Sequence, residues 1–133
     1  MKSVDIIKKD GYVLAIVLRS NFKGGACDFF SPKEFPLQLG MHKREKGEIV
    51  PAHEHIPFKK LENVAVQEVI YIESGKIKVD IYHKKKKLKS IVLGPKDTIL
   101  LNCGHSVKFL EKTKMLEVKQ GPYRGKDGEK KHF

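Results

Sequence analysis

Long apolar runs are missing from this chain. None approaches the roughly 20 residues that a bilayer-spanning helix needs, and 40% hydrophobic residues with a mean hydropathy of −0.40 are ordinary for a soluble protein. The expectation is a protein with no membrane partner. Cysteine is scarce as well. Cys27 and Cys103 are the only two, and they stand in unrelated segments, which fits reduced thiols better than a disulfide framework. The first residues, MKSVDIIKKDGY, lack the long apolar stretch and small-residue cleavage site of a secretory leader, so a cytoplasmic location is expected. Internal repeats, low-complexity tracts and linkers are lacking too, and 133 residues suffice for one domain with its own core.

Acidic residues are in short supply. Against 27 Lys and Arg there are 16 Asp and Glu, giving a net charge of +11 and a pI near 9.6. Such a balance attracts phosphate-bearing partners through counterion release. The lysines are scattered, however, and the one dense run, His83 to Lys89 (HKKKKLK), falls between two alternating stretches where a hairpin tip belongs. Nothing resembles a recognition helix, a stacking aromatic platform or a zinc finger. The run is read as a solvated tip, and nucleic acid is not the expected partner.

What is present is alternation with period 2. It runs through 12–20 (YVLAIVLRS), 36–44 (PLQLGMHKR), 68–75 (EVIYIESG), 76–82 (KIKVDIY), 89–94 (KSIVLG) and 98–109 (TILLNCGHSVKF). Turn signals at Gly24-Gly25, Ser31-Pro32, Lys46-Gly47, Ser74-Gly75 and Gly94-Pro95 separate these runs. Many short strands at this spacing predict an all-β sandwich or barrel. The segment from Tyr123 to Phe133 is polar and reads either as a tail or as an arm packed on the outside.

Residues two apart on a strand share a face, so an ionisable group in phase with an apolar row is informative. Glu68 is in phase with Ile70 and Ile72. A lone buried carboxylate is costly, so Glu68 must be protonated, ion-paired or metal-bound. His105 is in phase with Ile99, Leu101, Cys103, Val107 and Phe109. Alone it would be an ordinary core histidine. His53 and His55, spaced i, i+2, point the same way from one extended segment, where two imidazoles can converge on one ion. Together these four residues offer the nitrogen and oxygen donors that suit Fe, Mn, Ni or Zn. Cys103, on the same face as His105, is read as plain core.

These residues resemble a known pattern, that of the cupins. The first cupin motif has a Gly, five residues, HxH, a spacer, Glu, six residues and a Gly; here Gly47, EIVPA, His53, His55, Glu68, VIYIES and Gly75 follow it. The second ends in a Gly shortly before a metal-binding His, and Gly104-His105 in LNCGHSV is similar. The resemblance covers about Pro36 to Val118. Three features differ from the usual pattern. Twelve residues, IPFKKLENVAVQ, separate His55 from Glu68; Lys96-Asp97 stands where Gly-Asp is usual; and Asn102-Cys103 precedes the Gly in place of a Pro-containing pair. Glu62, inside the long insertion, is the alternative carboxylate.

The resemblance implies a double-stranded β-helix (jelly-roll) barrel over residues 1–133, with its core at about 36–118. It implies one divalent transition metal ion (Fe, Mn, Ni or Zn) held by His53, His55, Glu68 and His105, and a homodimer. The closing stretch from Met115 to Phe133 also looks like the ending of small cupins with no assigned reaction. A scaffold of this kind does not name a reaction. The expected function is a metal-dependent enzyme on a small polar metabolite, carbohydrate-like or anionic; the alternative is a non-catalytic binding or sensing module. His42, Lys119 and Tyr123 are the candidate acids or bases.

Overall fold

A computed structural model describes residues 2–133. Its regular structure is almost entirely strand: β1 (Val4–Lys9), β2 (Tyr12–Leu18), β3 (Cys27–Phe29), β4 (Gly40–His42), β5 (Glu68–Ser74), β6 (Ile77–His83), β7 (Lys86–Leu93), β8 (Thr98–Leu101), β9 (Gly104–Phe109) and β10 (Lys114–Lys119), followed by one short helical turn, α1 (Lys126–Glu129). The expected all-β class is therefore found. Every pairing is antiparallel. The strands form three open sheets rather than one closed barrel: β1-β2-β8-β5-β10, β7-β6-β9 and the small hairpin β3-β4. No helix among the described residues is long and apolar enough to cross a membrane.

One core joins the two larger sheets. Ile7, Leu14, Ala15, Val17, Ile70, Ile72, Ile99 and Leu101 from the five-stranded sheet meet Ile77, Val79, Ile81, Ile91 and Leu93 from the three-stranded one. The period-2 alternation of β5 and β6 is what allows it, because alternate side chains face one neighbour while the rest face outward. Each fully buried aliphatic side chain contributes on the order of 1.5–3 kcal/mol relative to exposure. The core reaches back to Ile7 and Leu14, outside the stretch 36–118, while the residues from 36 to 66 contribute none of its buried apolar side chains.

Four connections pass between these two sheets, β5 to β6, β7 to β8, β8 to β9 and β9 to β10, and the first and third carry one strand pair into another. β5 leads into β6 through Ser74-Gly75-Lys76, and β8 leads into β9 through Asn102-Cys103. Gly75 has φ +95°, and a Cβ there would lie 2.4 Å from the Lys112 carbonyl oxygen, so this corner requires glycine. The run 98–109 thus breaks into two strands in different sheets, yet a two-residue corner preserves its phase: Ile99 and Leu101 are core, and Cys103 and Val107 pack against it.

Three local features bear on the expectations. In the stretch 36–44 only Gly40–His42 forms a strand, paired with Cys27–Phe29. The lysine run is the expected hairpin: β6 and β7 pair His83 with Lys86, and Lys84 and Lys85 both adopt positive φ at the tip. In the turn before β8, the Asp97 N–H donates to the Gly94 carbonyl, and Lys96, where glycine is usual, is at φ +67°. The Asp97 carboxylate secures that turn by accepting from the backbone N–H groups of Gly94 and Ser20 and from Arg19 at 3.0 Å.

Candidate functional site

At one end of the shared core the sheets leave a cavity of about 580 Å³. Its floor is apolar, with Ile70, Leu101, Val107 and Met115, and its polar lining comes from three strands and the C-terminal arm. Register dictates which groups enter. Glu68 pairs across β5–β8 with Leu101 and across β5–β10 with Lys119, while Glu117 lies opposite Ile70. The side chains of Glu68, Ile70, Met115, Glu117 and Lys119 therefore share a face. His105 comes from β9, opposite Ile81.

Glu68 and His105 meet inside this cavity. Glu68 Oε1 lies 2.6 Å from His105 Nε2, and His105 Nδ1 donates to the Cys103 carbonyl oxygen at 2.8 Å. Both side chains are mostly shielded from solvent. The hydrogen bond from His105 holds the Glu68 carboxyl below its ordinary range against the opposing effect of burial. The same bond to Glu68 raises the His105 imidazole. Both shifts favour the charged form of the pair, a carboxylate facing a protonated imidazole. Glu117 stands beside it. Lost hydration, and then the negative charge of Glu68, push its carboxyl upward.

The other two expected ligands lie elsewhere. His53 and His55 occupy a segment without regular structure between β4 and β5; their rings stand edge to face with centroids 5.2 Å apart, and both are exposed. His53 Nδ1 is within 2.9 Å of the Pro51 carbonyl oxygen. Neither residue lines the cavity. Among the described residues no group of three or more His, Cys, Asp or Glu side chains is placed to hold a metal ion. Glu68 and His105 converge as two ligand groups, with Nε2 of His105 turned to Glu68. Glu62 is on the same exposed segment, ion-paired with Lys60 at 3.2 Å.

Of the candidate acids and bases, Lys119 lines the cavity. Tyr123 is exposed outside it. His42 lies on β4, against Cys27 at 3.6 Å and Arg44 at 3.3 Å. Three further polar groups of the cavity escaped the sequence reading. Glu117 carried a usable signal, since it alternates in phase with Met115 and Lys119. Gln67 is almost fully buried; its side-chain oxygen accepts from the Leu37 N–H, and its own N–H donates to Gln120. Glu129, in the polar closing segment, showed no period at all. That segment is an arm, not a free tail, since Glu129 to Phe133 line the cavity.

No protein-family model matches the chain, and no curated protein or solved structure matches it.

Proposed function

We propose that the protein is a small cupin-type jelly roll that binds a small polar metabolite in this cavity and acts on it with the help of one divalent transition metal ion, Fe, Mn, Ni or Zn. The observation that carries this reading is the Glu68–His105 pair at 2.6 Å within the cavity, with the second imidazole nitrogen tied to the Cys103 carbonyl. A metal-ligating histidine typically gives its other N–H to a carbonyl or carboxylate, which fixes the ring and leaves Nε2 for the ion. Support for the jelly roll comes from the two crossings, which carry a β5–β8 pairing in one sheet into a β6–β9 pairing in the other.

Two donors alone fall short of the usual three or four. β9 is an edge strand with one side unpaired. The exposed segment that carries His53 and His55, laid along that edge, would supply the two missing imidazoles next to His105. An ion held there by His53, His55, Glu68 and His105 would supply Lewis acidity. The rest falls to the chain's own groups: Glu117 can deliver or accept a proton beside Glu68, Lys119 offers a cationic anchor, and the apolar floor excludes water. Open edges at β9 and β10 are also the surfaces on which the proposed homodimer would form.

One observation favours a second reading, a binding module without turnover. Glu68 and His105 already satisfy one another, so the cavity is stable without an ion. Metal analysis of protein purified without a histidine tag separates the two. Near-stoichiometric metal in the wild type, lost in His53→Ala, Glu68→Ala and His105→Ala alike, is the expected result. Metal-free protein after supply of Fe, Mn, Ni and Zn would leave the binding module.

A further inference from the structure

The C-terminal arm is fastened at two points with three basic residues between them. At the first, the Glu129 side chain is only 6% exposed; it accepts from the Arg124 N–H at 2.9 Å and lies 3.6 Å from Lys119 Nζ. At the second, the Phe133 ring stands edge-on to Tyr82 at 5.2 Å, seated over Gly104 so closely that a Cβ there would lie 2.8 Å from the ring. Between these fastenings Lys130, Lys131 and His132 line the cavity. A tripeptide held at both ends lies along the mouth of the cavity, where its side chains are exposed.

The charges inside the cavity do not balance. Glu68 is matched by His105, and Glu129 by Lys119 and Arg124. Among the described residues neither Lys130 nor Lys131 has a carboxylate within ion-pair distance, and the one remaining acid of the cavity, Glu117, feels the charge of Lys130 and is outnumbered by the two lysines. Gln67, a buried residue of the lining, spends its side-chain oxygen on Leu37, which leaves its side-chain amide as a neutral donor. Unmatched cations at the rim and a neutral donor within form a receptor for an anion, strengthened by the low-dielectric walls.

We propose that the arm is an anion-recognition strap, and that the ligand of this cavity is a small metabolite bearing a carboxylate or phosphate group, whose anionic oxygens are met by Lys130 and Lys131. This rests on the cavity being the ligand site, and it adds the charge class of the ligand and the residues that select it. Phe133 is 62% exposed, so its loss releases the clasp without opening the core.

The test is calorimetric titration of the full chain with succinate, inorganic phosphate and neutral glucose, repeated for Lys130→Glu/Lys131→Glu, Phe133→Ala and His105→Ala, with circular dichroism confirming that each folds. The expected result is binding of at least one anion that weakens about tenfold or more in the double variant, weakens in Phe133→Ala, and falls with added salt. Anion binding unchanged by both arm variants would overturn the strap. Glucose binding that His105→Ala abolishes, with no anion bound, would overturn the anionic class while leaving the cavity as the ligand site. No binding of any probe would overturn both.

Discussion

Glu68 stands on β5 beside the fully buried Ile70 and Ile72, and His105 on β9 is half-buried with Val107, whereas His53 and His55 stand in a segment where Ile49 is 83%, Ile56 91% and Phe58 79% exposed. All four were selected from sequence by the same logic of spacing and phase. The difference lies in what holds the backbone. In β5 a one-residue slip would expose Ile70 and Ile72, and β9 is held by a continuous ladder to β6, so register is pinned and the polar side chain goes where the pattern sends it. Between His42 and Gln67 there is no ladder and no buried row, so an i, i+2 spacing fixes direction only while the segment stays extended.

The sharpest way to break this comparison is to truncate an isoleucine in each region. Ile81→Ala is expected to cost about 2–5 kcal/mol in urea unfolding, because it empties a fully buried position. Ile56→Ala should fall within about 0.5 kcal/mol of wild type. An Ile56→Ala cost of several kcal/mol would mean that this segment packs in solution, as the metal reading requires.

Next in size is the pair itself. Glu68→Ala removes a charged hydrogen bond and leaves His105 without its partner, at a cost of about 1–3 kcal/mol. Its pH dependence follows from the two shifts. The raised imidazole contributes fully below its ordinary value of 6.5 and loses its contribution as pH rises through the folded value. The lowered carboxyl contributes fully above its ordinary value of 4.5 and loses its contribution as pH falls through the folded value. The wild-type advantage over Glu68→Ala should therefore be greatest between pH 4.5 and 6.5 and shrink on either side. Urea unfolding of both proteins across that range checks it.

The two cysteines repeat the contrast through chemistry rather than stability. Burial pushes the Cys103 thiol up to about 11, while Cys27 is exposed on β3. At neutral pH iodoacetamide should label Cys27 first, and both equally in denaturant, as read by peptide mass spectrometry. Equal labelling of the native protein would mean that the row through Cys103 opens readily.

The smallest effect is at the turn that feeds β8. Lys96→Gly relieves a positive φ and should raise stability by about 1 kcal/mol or less, because glycine's greater freedom in the unfolded chain offsets part of the gain. Thermal unfolding would register it as a small upward shift. A loss instead would show that the Lys96 side chain does more than occupy the turn.

Much of the fold was legible because periodicity is a local signal. The runs at 12–20, 68–75, 76–82, 89–94 and 98–109 all became strands, and the lysine-rich stretch became a hairpin tip. β1, β3 and β10 were missed. VDIIKK and KMLEVK are short and rich in charge, and Ile7 and Met115 are buried only because neighbouring strands cover them. The stretch 36–44 alternates well, yet only three of its residues pair, since alternation permits a strand but a partner must be present to complete its hydrogen bonds.

By itself the sequence determined the strand class, the faces of β5 and β9, and hence that Glu68 and His105 point inward, because side-chain direction on a strand follows from position alone. Only the tertiary structure decided which inward groups meet. The switch of chain from one sheet to the other set Glu68 against His105, cross-strand pairing brought Glu117 to them, and the folded-back arm added Lys130 and Lys131 to the cavity. These are contacts between residues distant along the chain, and no period within a single strand records them.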